Sequence, residues 1–235
     1  MTAIISGEAP LCVREALSAF CDVTELSEYS EISAPMCAHP DMLMLRLGDN
    51  IITTEHLFAT MREVFEKITA CAPKIKLHTI NARHEREYPR DAILNGLVFG
   101  RRLFIKAHSA PRELIELVAS LGYEIVNTKQ GYPACTVLKL GDNSAITADR
   151  GMYKLLIANG IDTLLIENGC ISLPPYEYGF IGGAAGVCGR TVYFMGELEK
   201  HPNAEKILKK LQAQGLSHLS LGKGELFDGG GIIFI

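Results

Sequence analysis

The chain has 235 residues and a formal net charge of −4, from 23 Lys and Arg against 27 Asp and Glu. Hydrophobic residues are 48% and charged residues 21% of the sequence, which predicts a packed globular protein and excludes intrinsic disorder. The acidic balance argues against a nucleic-acid-binding protein, which needs a basic face. No apolar run reaches the roughly 18 residues of a membrane span. Because no basic residue precedes Arg14, the N-terminus does not resemble a signal peptide, and we expect a cytoplasmic protein.

Seven cysteines are spread along the chain, at positions 12, 21, 37, 71, 135, 170 and 188. Their number is odd and no two of them form a CxxC pair, which excludes a zinc ribbon and a thioredoxin-type motif. A disulfide framework is not expected in a chain of this length without an export signal. We therefore interpret most of the cysteines as small buried hydrophobic residues.

An internal repeat is the first clear feature along the chain. The segment 38–56 aligns without a gap with 131–150, so that His39 matches Tyr132 and Leu-Gly-Asp-Asn at 47–50 matches 140–143. Each copy predicts a strand, a tight turn, a second strand and an acidic residue that opens a helix, where free amides and the helix dipole favour a carboxylate. Looser copies of the same order occupy 88–128 and 178–221.

Glycines mark the predicted helix ends. Gly122, Gly160 and Gly215 each follow a helical pattern and precede an apolar run. Glycine is favoured there because a helix often ends in a left-handed residue.

The two ends of the chain complete a fifth copy. The last strand, within 227–235, has no partner after it, and the first segment, 1–38, reads as strand, helix and strand. The sequence thus predicts one domain, 1–235, of five units: 39–87, 88–131, 132–177, 178–226, and 227–235 together with 1–38. Five similar units, one of them shared by both termini, predict a closed ring without free sheet edges.

This arrangement resembles the pentein fold of the guanidino-group-modifying enzymes, which include arginine and agmatine deiminases, dimethylarginine hydrolase and amidinotransferases. A ribosome anti-association factor shares that fold. The resemblance implies an α/β propeller of five ββαβ blades around a pseudo-fivefold axis. One motif supports it: Tyr88-Pro89-Arg90-Asp91 is similar to the aromatic-x-Arg-Asp segment of the deiminases. By this resemblance Asp91 pairs with a substrate guanidinium, whose planar fork suits a carboxylate.

The chain departs from the family at its catalytic positions. The family's nucleophilic cysteine follows the glycines of the last inner strand, but residues 228–235 contain no cysteine. The general-acid histidine belongs to the fourth inner strand, and residues 178–188 contain no histidine. Covalent attack needs a nucleophile and a positioned base. We therefore expect the hydrolase chemistry of the family to be absent or altered.

The candidate site lies where the five inner strands begin, around the predicted axis. The residues delivered there are expected to be His39, Asp41, Tyr88, Arg90, Asp91, Asn95, Tyr132, Cys135, Glu177, Tyr178 and Asp228. This set is rich in acids, as a cationic ligand requires. The alternative is that Asp41, Arg90 and Asp91 form an ion-pair network that plugs the axis. Cys135 is a weak candidate for a relocated nucleophile, with His39 as its base; we expect it to be inert.

No cofactor or metal is expected. The glycines between 179 and 189 precede a strand rather than a helix, which excludes a dinucleotide fingerprint. No histidine pair has metal-ligand spacing.

Three functions remain, and the oligomeric state stays open. The first is binding of a small guanidino or amino compound at the axis. The second is a non-catalytic platform for protein interaction, similar to the ribosome factor. The third is an amidinohydrolase that uses Cys135.

Overall fold

The computed structural model describes residues 1–235 and has the predicted α/β composition. Strands β1 to β17 are Thr2–Ser6, Asp22–Leu26, Leu45–Leu47, Asn50–Thr54, Lys76–Ile80, Leu97–Phe99, Arg102–Ile105, Glu124–Asn127, Val137–Gly141, Ser144–Thr147, Asp162–Leu165, Ile171–Ser172, Ala185–Cys188, Thr191–Phe194, Ser217–Ser220, Leu226–Phe227 and Ile233–Phe234. Helices α1 to α8 are Leu11–Ser18, Pro40–Leu43, Glu55–Thr60, Arg62–Cys71, Arg112–Ser120, Pro133–Thr136, Arg150–Ala158 and Ala204–Ala213. None of the helices combines the length and apolar character needed to cross a membrane.

Five small sheets of three strands each share one connectivity. In each sheet the first strand pairs antiparallel with the middle strand, and the third pairs parallel with the middle strand after a helical connection. Four of the sheets fall in 45–80, 97–127, 137–165 and 185–220. The fifth joins the two ends of the chain, because β17 pairs antiparallel with β1, with Ala3 opposite Phe234 and Ile4 opposite Ile233.

The repeated turn and the helix ends follow from local chemistry. Gly48 lies in the first turn with a φ of 60°, a left-handed conformation that glycine adopts without steric cost. In the second copy the turn differs: β9 extends through Gly141, and the register shifts between Ser144 and Ala145. The predicted acidic helix start is confirmed at Asp149, whose side chain accepts a hydrogen bond from the N–H of Met152 at 2.7 Å.

The first strands of the five sheets lie around one cavity of about 550 Å³. We call it the large cavity. Each of β3, β6, β9, β13 and β17 contributes lining residues, among them Arg46, Val98, Lys139, Val187 and Phe234. The outer side of each sheet is covered by its helix, and apolar residues such as Leu114, Leu156 and Ile207 are buried there.

Phe234 tests the contribution of the last strand to stability. The side chain is 7% exposed and packs among Ala3, Ile5 and Tyr193. Because truncation leaves a cavity in that cluster, we expect Phe234→Ala to lower the free energy of unfolding by about 3 kcal/mol. Urea unfolding measures the loss.

The matched control is Phe20→Ala. Phe20 is 40% exposed and stacks on Tyr193 from outside, so its loss should cost less than about 1 kcal/mol. Equal losses in the two variants would mean that the pairing of the termini adds no special stability.

Candidate functional site

A second cavity, of about 340 Å³, lies beside the large one, and we call it the site cavity. Its polar lining residues are His39, Cys135, Glu177 and Asp228, and its aromatic ones are Tyr132, Tyr176, Tyr178 and Phe180. Two of these residues come from matching positions of the repeat. His39 and Tyr132 each precede a proline that opens a short helix, α2 or α6, and each short helix leads into a first strand. The repeated His/Tyr-Pro sequence thus directs both side chains to one place.

Asp228 is a buried carboxyl in this cavity, with 1% of its surface exposed. Its oxygens accept hydrogen bonds from the backbone N–H groups of Phe180 at 2.8 Å and Gly230 at 3.1 Å. Burial raises the pKa of Asp228 to about 6, although the two N–H donors favour the charged form. Glycine is required opposite this carboxyl, because a Cβ on Gly183 would overlap its oxygens.

Cys135 and Asp41 form a hydrogen-bonded pair at the inner end of the site cavity. The Cys135 thiol donates to Asp41 Oδ2 at 2.8 Å. Asn95 Nδ2 lies 3.1 Å from Cys135 Sγ and 3.2 Å from the Asp41 carbonyl oxygen, while Asn95 Oδ1 accepts from the N–H of Ala134. The amide of Asn95 therefore fixes the pair in place, a role that the sequence did not indicate.

Burial controls the ionisation of this pair. Burial and, after it, the nearby Asp228 carboxylate raise the pKa of Asp41 to about 8. Asp41 as a whole residue is partly exposed, but its Oδ1 atom is buried and lacks a hydrogen-bond partner, so the raised pKa is consistent with its surroundings. Burial and the two carboxylates raise the pKa of the Cys135 thiol well above its ordinary value. At neutral pH the pair is therefore protonated.

His39 is neutral in this environment. Its side chain is 2% exposed, and burial lowers the pKa of His39 to about 4. Nδ1 lies 4.0 Å from Asp228 Oδ1 and has no hydrogen-bond partner. Because the imidazole is uncharged, this approach is not an ion pair.

The predicted deiminase-like segment lies behind the cavity wall. Asp91 is 3% exposed and accepts a hydrogen bond from the Tyr132 hydroxyl at 2.6 Å, but it does not line the site cavity. Burial raises the pKa of Asp91. Tyr88 is half-exposed and packs against the Tyr132 ring at 5.4 Å. Asp91 and Tyr88 therefore contact Tyr132, which lines the site cavity, and do not line it themselves.

The predicted ion-pair plug does not form. Arg90 is exposed and pairs with Glu85 at 2.8 Å, which turns its charge away from both cavities. Asp41 and Asp91 bond to Cys135 and Tyr132 instead. The physical reason is local: a surface carboxylate five residues away neutralises Arg90 without any cost of burial.

Part of the lining was not anticipated. The segment 173–180 contributes Leu173, Tyr176 and Phe180 in addition to the predicted Glu177 and Tyr178. The sequence feature that could have predicted this lining is a run of three aromatic residues within five positions, directly after two prolines. No group of three or more His, Cys, Asp or Glu side chains is arranged to hold a metal ion.

Among the solved structures with a similar fold are a dimethylarginine hydrolase and two amidinotransferases. Dimethylarginine dimethylaminohydrolase from Pseudomonas aeruginosa is 13% identical, with a TM-score of 0.56, over 93% of this chain and 91% of that one. The saxitoxin-pathway amidinotransferase from Microseira wollei is 13% identical, with a TM-score of 0.56, over 93% of this chain and 87% of that one. Inosamine-phosphate amidinotransferase from Streptomyces griseus is 14% identical, with a TM-score of 0.57, over 93% of this chain and 75% of that one. The chain therefore has the fold of these enzymes, which is the pentein fold.

The chain belongs to a family of unknown function, DUF6873, whose model matches residues 4–233. No functionally curated protein matches its sequence.

The raised pKa of Asp41 gives stability a testable pH dependence. The folded protein keeps this proton up to about pH 8, whereas the unfolded chain releases it near 4, so stability falls as the pH rises between these values. The lowered pKa values of His39 and His84 oppose this fall only below about pH 6.5. From pH 6.5 to 8 we expect a loss of about 1 kcal/mol per pH unit.

Chemical denaturation at several pH values, on wild type and Asp41→Asn, measures this effect. The variant carries no proton to lose, so its stability should change less over the same interval. Parallel curves for the two proteins would contradict the assignment of the high pKa to Asp41.

Proposed function

We propose that the site cavity binds the cationic group of a small guanidino or amino compound. The observation that carries the proposal is the buried Asp228 carboxyl within a wall of aromatic rings. A carboxylate accepts charge-assisted hydrogen bonds from guanidinium or ammonium groups, and aromatic faces attract the same cations. The volume of about 340 Å³ suits a small molecule.

The charge state of the cavity also supports a cation. The carboxylate of Asp228 raises the cost of ionising Asp41, and His39 in the same cavity is uncharged. A bound cation would relieve this repulsion and lower both carboxyl pKa values. Ligand binding is therefore expected to release protons, most strongly between pH 6 and 8.

The solved structures support the ligand class at the level of the fold. The Pseudomonas aeruginosa enzyme was solved with citrulline, and the amidinotransferases are named for transfer of the amidino group. For this chain we propose the corresponding architecture: five blades around the large cavity, the last closed by β17 and β1. The contribution of all five first strands to one cavity supports it.

Arginine and citrulline form a matched pair of probes, since the ureido group of citrulline has the guanidinium shape without its charge. Thermal shift with arginine, agmatine, creatine and simple amines, titrated in concentration, detects compounds that bind the folded state. We expect a cationic hit whose affinity falls roughly 10- to 150-fold in Asp228→Asn, the effect of losing a charge-assisted hydrogen bond.

Asp91→Asn is the control for this measurement. Asp91 touches Tyr132 and not the cavity, so we expect a smaller loss of affinity than in Asp228→Asn. The reverse order would make Asp91 the anchor, as the family resemblance implies. If no cation shifts the wild type, a platform for protein interaction becomes the better explanation.

A second candidate function is covalent chemistry at Cys135, because this thiol lines the same cavity as Asp228 and His39. In an amidinohydrolase, Sγ would form a bond to the guanidino carbon, the C–N bond would break with release of ammonia or an amine, and water would then cleave the S–C bond and restore the thiol. Incubation with arginine, agmatine and methylarginines, followed by intact mass and ammonia assays, tests it. The candidate requires an adduct or ammonia above the enzyme-free control and its loss in Cys135→Ala; their absence leaves a binding protein.

A further inference from the structure

The Cys135–Asp41 pair lies between the two cavities. Cys135 is among the residues that line the site cavity, whereas Asp41 is among those that line the large cavity. The 2.8 Å hydrogen bond from the thiol to Asp41 Oδ2 is therefore a contact across the wall that separates them. His39 lines the same cavity as the thiol, is 2% exposed, and has a buried Nδ1 atom without a hydrogen-bond partner.

We propose that Asp41 is the proton acceptor of Cys135, so that the two residues act as a nucleophile and its base. The sequence pointed to His39 for this role. The geometry favours Asp41, because the hydrogen bonds of Sγ join it to Asp41 and Asn95 and not to the imidazole. A base must lie within hydrogen-bond reach of the proton that it removes.

The two members of the pair line different cavities. Asp41 belongs to the lining of the space of about 550 Å³, although its Oδ1 atom is buried, and Cys135 belongs to the lining of the site cavity. A reactant in the site cavity would therefore meet the thiol on the side away from its proton acceptor.

One negative charge is shared by the pair once its first proton has left. That charge resides on either Oδ2 or Sγ, and the amide N–H of Asn95 stabilises it on Sγ. Since the pKa of Asp41 is about 8, this state begins to form near that pH, far below the ionisation of an isolated buried thiol. The other titratable groups around the pair are His39, Asp91, Tyr132, Tyr176, Glu177, Tyr178 and Asp228, with Arg46 and Lys139 on the large cavity.

The inference does not depend on the identity of the proposed ligand, so a general electrophile tests it. With iodoacetamide, the sulfur electron pair forms the S–C bond, the C–I bond breaks, iodide leaves, and the thiol proton passes to Asp41 and then to water. Peptide mass spectrometry follows alkylation of Cys135 from pH 6 to 9.5, with exposed Cys12 and Cys71 as internal references in the same protein.

For wild type we expect the alkylation rate of Cys135 to rise with an apparent pKa near 8. In Asp41→Asn the base is lost and the thiol must ionise alone, so at pH 8 the rate should fall about tenfold and the step should move to higher pH. Asp228→Asn is the matched control: it removes a carboxylate that repels the thiolate but does not accept its proton, so the rate should rise.

Opposite results would overturn the inference. If Asp41 only repels the thiolate, Asp41→Asn will react as fast as wild type or faster below pH 8. If His39 is the base, His39→Gln will slow alkylation and Asp41→Asn will not. A wild-type profile without a step near pH 8, or no alkylation while Cys12 and Cys71 react, also contradicts it, and this measurement needs no variant to fold. None of these outcomes depends on whether arginine or an amine binds.

Discussion

The fold depends on the pairing of the last strand with the first. Thr2 and Ile235 exchange two backbone hydrogen bonds of 2.9 Å, next to the ladder that joins Ala3 and Ile4 to β17. The last ten residues of the chain, 226–235, also build the site. β16 pairs with β12, Asp228 enters the site cavity, and the N–H groups of Gly229 and Gly231 donate to the carbonyl oxygen of Gly183. A single short segment thus completes the fifth sheet and positions the buried carboxyl.

This double role explains the glycine-rich sequence of the fourth unit. Gly179 and Gly183 face the Asp228 side chain so closely that a Cβ on either would overlap it. Gly230 has a φ of 73° and lies against His39. On this side of the cavity the chain has backbone surface, and Asp228 is held by the N–H groups of Phe180 and Gly230. The carboxyl is therefore oriented by backbone rather than by a charged side chain.

Much of the architecture could be predicted because its signals are local. The Leu-Gly-Asp-Asn turns, the glycines at 122, 160 and 215 with positive φ, and the acid before α7 each depend on residues within one turn or hairpin. The site was only partly predictable. Cys135 and Asp41 are 94 positions apart, and only the stacking of two units at a common cavity brings them together. Asp91 was selected by its motif, but the motif does not reveal that the Tyr132 ring separates it from the cavity.

The resting site is electrostatically incomplete. At neutral pH Asp228 is mostly ionised, with its pKa of about 6, while Asp41, Cys135 and His39 are all uncharged. A buried negative charge without a cationic partner lowers stability, and such local conflicts concentrate at functional sites. A cation that enters the site cavity would supply the missing partner. It would also lower the pKa of Asp41, and an ionised Asp41 is the form that can accept the thiol proton. If both proposals hold, binding of a cation and activation of Cys135 are coupled through one carboxyl, so that occupancy of the site would shift the reactivity of Cys135 to lower pH than in the empty site.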